Sequence, residues 1–208
     1  MGYDDTWGGV IVHPPEFGSE DFNDHHFHYG YLIHAAATVA EADPGFVETY
    51  GAIVDLLVAD VLGDPTDPAV PPVRVFNPYV GHSYASGFVP FEDGNNQESS
   101  SEAVNAWWAI GRWGLVTGNR ALTDAAVARY VVEAHTARAY WLGELEDLGV
   151  SRHASYEHEV AGIVWGGKVD FATWFDPRPS AVIGIQLLPV NFGSIYRTDT
   201  AAAFRRYE

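Results

Sequence analysis

Four stretches of the chain carry apolar residues at the spacing of an α-helix, and no strands alternate with them. A parallel sheet needs strands between its helices, so this pattern favours a mainly α fold of antiparallel helical hairpins arranged in an arc. The predicted helices run from about Asp24 to Ala42, from about Phe46 to Val61, from Glu98 or Ser99 to residues 117–119, and from about Thr123 to Leu148.

The third and fourth stretches are predicted to pair as an antiparallel hairpin, with Gly149 as the C-cap of the fourth. The apolar spacing in the last three stretches predicts which side chains share a core-facing side. These are Ile53, Val54, Leu57, Val58 and Val61 in the second, Val104, Trp107, Trp108, Gly111 and Leu115 in the third, and Val127, Tyr130, Val131, Ala134 and Trp141 in the fourth.

The segments between the helices are long and rich in Gly and Pro. Residues 1–23 are predicted as an extended lead-in, and residues 62–94 as a long loop in which prolines forbid regular structure. Residues 77–87 of that loop are aromatic and polar, which favours a binding loop. A short hairpin is predicted across Gly166 and Gly167, and Pro189 closes a further apolar segment from residue 181 to 188. No linker divides the 208 residues, so residues 1–208 are predicted as a single domain.

The composition excludes several function classes. The net charge of −17 disfavours a nucleic-acid backbone as partner. The chain has no cysteine, which excludes disulfides, thiolate metal sites and a cysteine nucleophile. No apolar run is long enough to span a membrane, and the first residues lack the pattern of a signal peptide. The sequence sets no oligomeric state.

Asp24 stands where a polar loop enters the first helix, next to a cluster of His and aromatic residues. One interpretation is an acid that interacts with the helix dipole. The other is a general acid whose pKa is raised by a cleft lined with Phe27, Tyr29 and Tyr31. His28 lies four residues on, so it shares a face with Asp24.

Glu98 and Glu102 are also four residues apart, at the start of the third helix. Like charges at this spacing repel each other, a cost that is usually accepted at functional sites. For Glu102 the alternative is a capping box in which Ser99 is the N-cap. Capping does not explain Glu98, which is therefore the stronger candidate for catalysis.

His25, His26 and His28 could instead bind a metal together with Asp24. Their spacing is poor for zinc, and neither cysteine nor a His-Glu-x-x-His motif is present. The sequence therefore predicts no metal and no cofactor, although a metal-dependent hydrolase remains an alternative.

Aromatic and polar side chains spread along the chain would suit a sugar-binding cleft, in which rings stack on pyranose faces and polar groups bind hydroxyls. Trp7 and Trp174 are candidate platforms. The residues predicted to bind substrate are His28, Tyr31, His82, Tyr84, Asn96, Trp165, Lys168 and Asp170.

Five motifs in order resemble those of the glycoside hydrolase family 81 endo-β-1,3-glucanases. They occupy residues 22–31 (FNDHHFHYGY), 81–87 (GHSYASG), 93–103 (DGNNQESSSEA), 164–168 (VWGGK) and 184–189 (GIQLLP). The family usually has an acidic residue at the position of Gly167, so the chain departs from the pattern there.

The resemblance implies an inverting hydrolase that cleaves laminarin-type β-1,3-glucan outside the cell. By this analogy Asp24 is the general acid, Glu98 the general base, Glu102 an assisting residue and His28 a support for the acid. Family members carry a twelve-helix (α/α)6 barrel, whereas this chain has four clear helices. We therefore expect a partial (α/α)6 toroid, an incomplete catalytic barrel, and a non-catalytic glucan-binding fragment is a further alternative.

Overall fold

A computed structural model describes residues 1–64, 66–67, 70–71, 73–143 and 155–197. The helices are α1 (His25–Ala42), α2 (Gly45–Leu62), α3 (Ser100–Val116), α4 (Arg120–Thr136) and α5 (Pro179–Ile185). The strands are β1 (Gly2–Asp4), β2 (Gly9–Ile11), β3 (Phe76–Asn77), β4 (His82–Ser83), β5 (Asn96–Gln97), β6 (Ile163–Trp165) and β7 (Val169–Asp170). Short 3-10 turns span Ser19–Asp21 and Phe192–Tyr196. Among the described residues, no helix is both long and apolar enough to cross a membrane.

The four long helices lie side by side in the order α2, α1, α3 and α4, which confirms the predicted mainly α fold of helical hairpins. Helix α1 packs closely on α3 because Gly30 has no side chain: a Cβ there would lie 3.1 Å from that of Ala106. The core between the helices is aliphatic and aromatic, with Tyr29, Ile33 and Trp113 fully buried. This row of helices is the scaffold on which the loops between the helices are arranged.

Small antiparallel sheets occupy the connecting segments. Strands β1 and β2 form a hairpin within the lead-in that was predicted to be extended. Strands β3 and β4 pair inside the long loop. The predicted hairpin across Gly166 and Gly167 is confirmed as β6 and β7, and β5 adds to its edge. This three-stranded sheet ties the start of α3 to the segment that follows residue 155.

The predicted core faces were wrong at four positions. Ile53 is 49% exposed, Leu115 69%, Val127 51% and Val131 59%. These side chains have helical spacing, but the neighbouring helices pack on other faces of α2, α3 and α4. The period of apolar residues in one sequence does not show which of two apolar faces of a helix is buried.

The regular α-helical part of the fourth helix ends at Thr136, earlier than the predicted end near Leu148. After Thr136 it continues as a π-helical turn, Ala137–Trp141, in which Trp141 is fully buried as expected. Residues 144–148 and the predicted C-cap Gly149 lie outside the described residues.

A buried carboxylate that the sequence did not single out joins α4 to the β3–β4 loop. Glu133 accepts hydrogen bonds from the backbone N–H of Ser83 at 2.7 Å, from its hydroxyl at 2.6 Å and from the indole of Trp107 at 2.5 Å. Burial raises the pKa of Glu133 to about 7, although these donors oppose the rise. The two bonds to Ser83 hold the His82–Ser83 strand against α4, and the bond to Trp107 joins α4 to α3.

Replacing Glu133 by Ala is expected to lower the free energy of unfolding by about 3 kcal/mol, because the Ser83 and Trp107 donors would stay buried without an acceptor. Denaturant unfolding would measure the loss. The matched control is Glu41→Ala, which removes a half-exposed partner of Arg112 and should cost less than about 1 kcal/mol. Equal losses for the two variants would contradict the structural role of Glu133.

Candidate active site

The loop before α1 holds Asp24 in an unusual backbone conformation. Asp24 has φ 57°, in the left-handed region, and its N–H donates to the carbonyl of Ala85 at 2.9 Å. It occupies the N-cap position of α1, yet its side chain makes no capping hydrogen bond. The carboxylate therefore does not cap the helix through a hydrogen bond, and the interaction with the helix dipole stays an alternative for it.

The surroundings of Asp24 favour its protonated form. Burial raises the pKa of Asp24 to about 7, the negative charges of Glu98 and Glu102 add to the rise, and His25 opposes it. A carboxyl group with a pKa near neutrality can keep a proton for transfer to a leaving group. The three acidic residues therefore act on one another, although they come from two separate sequence segments.

Glu98 lies between β5 and α3, and is anchored by the residues around it. Its Oε2 accepts the backbone N–H of Trp174 at 3.0 Å, and its carbonyl accepts from Nε2 of Gln186 at 2.5 Å. Burial raises the pKa of Glu98, the N–H of Trp174 opposes the rise, and Glu102 adds to it. Glu98 thus has one donor that favours its charged form, although burial outweighs that donor and the pKa of Glu98 is raised.

Glu102 lies in the first turn of α3 and does not form the predicted capping box. Ser99 is the N-cap, as expected, but its side chain makes no capping bond. The terminus is satisfied by Gln186 instead, whose Oε1 accepts from the N–H of Ser100 at 3.2 Å and from its hydroxyl at 2.7 Å. Glu102 also acts on Tyr31 of the neighbouring helix α1. Burial raises the pKa of Tyr31, and the charge of Glu102 and a hydrogen bond between the two side chains add to the rise.

Gln186 is a site residue that the sequence analysis did not identify. It follows α5, is almost fully buried and binds both the Glu98 backbone and the start of α3. The segment around it was singled out only as part of a motif. No local pattern reveals that its amide would accept the hydrogen bonds of Ser100, 86 residues earlier in the chain, in place of the side chain of Ser99.

Next to Glu98, Phe91, Trp165 and Trp174 form an aromatic cluster. The two indole rings lie 5.5 Å apart, and Phe91 lies 5.4 and 5.6 Å from them. Trp174 is 56% exposed and donates its Nε1–H to Oδ1 of Asn96 at 3.2 Å. Asn96 itself is buried and therefore orients Trp174, whereas the indole faces solvent.

A charged group flanks this cluster. Lys168 lies 2.9 Å from Asp93 and 3.1 Å from Asp170, and its ammonium group stands 5.2 Å from the Trp165 ring centre. Asp170 also accepts the indole N–H of Trp165 at 2.9 Å. The predicted residues Trp165, Lys168 and Asp170 therefore belong to one surface.

Two predicted substrate contacts lie elsewhere. His82 is 2% exposed, donates from Nδ1 to the Ser83 carbonyl at 2.9 Å and packs edge-on against Trp141. Tyr84 is half-buried and lines a cavity of about 620 Å³, together with Trp7 and Arg74. None of the three carboxylates lines that cavity, and His82 is buried away from solvent.

The histidines after Asp24 do not converge on a common point. His25 makes hydrogen bonds through both ring nitrogens, and His26 accepts the Gln97 amide at Nε2 at 3.0 Å. His28 is half-buried and stands edge-on to Phe17; burial lowers the pKa of His28, His25 lowers it further, and Glu102 opposes this. Within the described parts of the chain, no three His, Cys, Asp or Glu side chains are placed to hold a metal ion.

The model of the glycosyl hydrolase family 81 C-terminal domain matches residues 1–204. The chain belongs to glycosyl hydrolase family 81. It is 45% identical over 198 residues to a glucan endo-1,3-beta-D-glucosidase of Acetivibrio thermocellus, and 40% identical over 198 residues to one of Thermobifida fusca. A solved family 81 structure from Clostridium thermocellum superimposes with a TM-score of 0.91 at 42% identity and covers 99% of this chain.

This family 81 chain spans only part of each relative. It covers 25% of the Acetivibrio protein, 26% of the Thermobifida protein and 29% of the solved chain, whereas 93% of its own length aligns with each of the first two. The helical arc and the carboxylate cluster therefore correspond to a portion of those longer proteins.

Proposed function

We propose that this chain carries the site for endo-acting hydrolysis of β-1,3-glucan, with inversion at the anomeric carbon. The family 81 relatives named above bear the name of that activity. The observation that supports the proposal most strongly is the elevated pKa of Asp24, about 7, caused by burial and then by the charges of Glu98 and Glu102. A glycosidase needs one carboxyl that keeps its proton beside another that does not.

In the proposed reaction, protonated Asp24 gives its proton to the glycosidic oxygen as the bond from that oxygen to the anomeric carbon breaks. Glu98 accepts a proton from the water that attacks the same carbon on the opposite face. Glu102 orients that water or adjusts the basicity of Glu98. An inverting site must have room for the attacking water between the base and the sugar. We therefore expect the carboxyl groups of Asp24 and Glu98 to lie roughly 6.5–9.5 Å apart.

The substrate is proposed to be a laminarin-type polymer that crosses the aromatic cluster next to Glu98. Exposed indole rings stack on pyranose faces, and the Lys168–Asp170 pair offers both donors and acceptors to hydroxyl groups. Tyr31 and His28 would contact the sugar on the other side of the carboxylates. Since such polymers belong to cell walls and storage material, we place the activity outside the cell.

Release of reducing sugar from laminarin by this chain tests the function, and a rapid fall in the viscosity of a soluble β-1,3-glucan tests endo action. We expect both, and we expect them to persist in chelator. Tight binding of laminarin without any release would instead identify a glucan-binding fragment. Loss of activity in chelator that returns with added metal would favour the metal-dependent alternative.

Trp174→Ala is expected to weaken binding of a β-1,3-linked oligosaccharide by about 10-fold, because it removes an exposed stacking surface worth about 1–2 kcal/mol. Isothermal titration calorimetry would measure the change. Phe192→Ala is the matched control, since Phe192 is 83% exposed and lies outside the aromatic cluster. An unchanged affinity in Trp174→Ala would remove this cluster from the proposed binding surface.

A further inference from the structure

A buried network beneath Asp24 has no part in the reaction described above. His25 Nδ1 lies 2.7 Å from Oδ1 of Asp60, and His25 Nε2 lies 2.8 Å from the carbonyl oxygen of Ser19. The other oxygen of Asp60 accepts the N–H of Val10 at 2.6 Å. Both His25 and Asp60 are 1% exposed. One carboxylate on α2 therefore connects β2, the 3-10 turn and the first residue of α1.

The packing around this network is tight. Gly9 allows β2 to reach Asp60, because a Cβ there would lie 2.6 Å from Oδ2. The ring of His25 lies 4.8 Å from that of Phe22 and 4.7 Å from that of Tyr29, whose hydroxyl donates to the Val10 carbonyl. His25 thus points into the interior, and the peptide before it turns through the left-handed conformation of Asp24.

The hydrogen bonds also indicate the charge of His25. A backbone carbonyl only accepts, so Nε2 carries hydrogen, and a carboxylate at 2.7 Å from Nδ1 favours a second hydrogen there. In this arrangement both ring nitrogens donate, one to Asp60 and one to Ser19, and His25 directly follows Asp24 in the sequence. Of the pair, His25 is the member that influences Asp24, because its charge opposes the rise in the pKa of that carboxyl group.

We propose that Asp60 is a positioning residue for Asp24: acting through His25, it fixes the backbone that presents the acid and maintains a positive charge beside its carboxyl group. The inference rests on the proposed role of Asp24. It accounts for an otherwise unused buried ion pair, and it agrees with the effect of His25, which opposes the burial and carboxylate charges that raise the pKa of Asp24.

Other charged groups near the pair and the acid come from several elements. His26 and His28 belong to α1, Glu98 precedes α3, and Glu102 lies within it. The cavity of about 620 Å³ that reaches the pair is also lined by charged side chains, Glu20, Asp21 and Arg74.

The substitution Asp60→Asn removes the negative charge of Asp60 but can keep the hydrogen bonds that its side chain makes with Val10 and His25. The asparagine Oδ1 can accept from Val10, and its amide can donate to Nδ1 of a neutral His25, which still donates to Ser19. The positive charge is lost, so a contribution that lowers the pKa of Asp24 disappears. We expect the titration midpoint of the Asp24 carboxyl to rise by at least about half a pH unit.

The measurement is carbon-13 NMR of the chain labelled at aspartate carboxyl groups, with Asp24→Asn used to assign the signal. The matched control is Asp55→Asn, also on α2, where the amide oxygen keeps the bond that Asp55 accepts from the Trp113 indole at 2.8 Å. The control should leave the Asp24 midpoint in place. A folded Asp60→Asn variant with an unchanged midpoint would overturn the inference and leave a purely structural role.

If Asp60→Asn does not fold, the nitrogen-15 spectrum of the histidine rings in the unmutated chain decides instead. Two protonated ring nitrogens on His25 at pH 7 support the inference, and one bare nitrogen overturns it. Neither spectrum requires turnover. A shifted midpoint in a chain that does not cleave glucan would uphold the positioning of Asp24 while contradicting the proposed function. Where the chain does cleave laminarin, the alkaline limb of its pH profile should move upward with the midpoint.

Discussion

Asp24→Asn is expected to reduce laminarin cleavage by about 10²–10⁴-fold or more, because the amide keeps the size of the side chain but cannot give a proton to the glycosidic oxygen. Binding of the oligosaccharide should stay nearly intact, since the substitution leaves the aromatic cluster unchanged. Reducing-sugar release measures the first quantity, and calorimetric titration measures the second. A variant that retains most of the activity would exclude Asp24 as the acid.

The pH dependence of stability provides a control for folding in this variant. The pKa of Asp24 is raised to about 7 by burial first and by the two glutamates next, against an ordinary value of 3.8. A group with a raised folded-state pKa contributes stability below its unfolded pKa, and this contribution is lost as the pH rises through the folded value. Asp24→Asn lacks that loss, so its stability relative to the unmutated chain should increase between about pH 4 and pH 8.

The helices that border clear stop signals were predicted from the sequence to within about one residue. The first was expected from Asp24 to Ala42 and is His25–Ala42; the second was expected from Phe46 to Val61 and is Gly45–Leu62. Asp43 and Pro44 separate the two, and proline cannot continue a preceding helix. Local chemistry decides these boundaries, so a single sequence is sufficient.

The errors arise where partners distant in sequence decide the structure. Leu115 and Val131 follow the helical pattern but lie on outward faces, because the position of the neighbouring helices is not encoded in the period. Ser99 matches the capping pattern, yet Gln186 takes the hydrogen bonds. Glu133 gave no signal at all, since its partner Ser83 lies 50 residues away.

In the candidate site, too, local sequence indicates some residues, whereas partners distant in sequence decide the placement of others. The acids were predicted because they stand at loop–helix junctions beside aromatic residues, and the structure places Asp24 under the electrostatic influence of Glu98 and Glu102. His82 lies in an equally suggestive polar and aromatic segment, yet it is buried against Trp141. Burial is a tertiary property, so the composition of a segment cannot separate a side chain that faces a cleft from one that packs behind it.

Glu98→Gln is expected to lower laminarin cleavage by about 10²–10⁴-fold, because a neutral amide cannot take the proton of the attacking water. The amide oxygen can still accept the Trp174 N–H that Glu98 accepts at 3.0 Å, so the fold should persist. Added azide should restore turnover of a glucoside with an activated leaving group, since the small anion can occupy the position of the water. Kinetics with and without azide, together with thermal melting, measure these effects.

Glu102→Gln is the matched comparison, because Glu102 follows Glu98 by four residues, in the first turn of α3, and acts on both other carboxyl groups. Its side chain does not cap α3, so the substitution should leave the melting temperature nearly unchanged. We expect a smaller loss of activity than in Glu98→Gln, and no rescue by azide. A folded but inactive Glu102→Gln beside a Glu98→Gln variant that retains most activity would reverse the assignment, making Glu102 the base and Glu98 the residue that assists it.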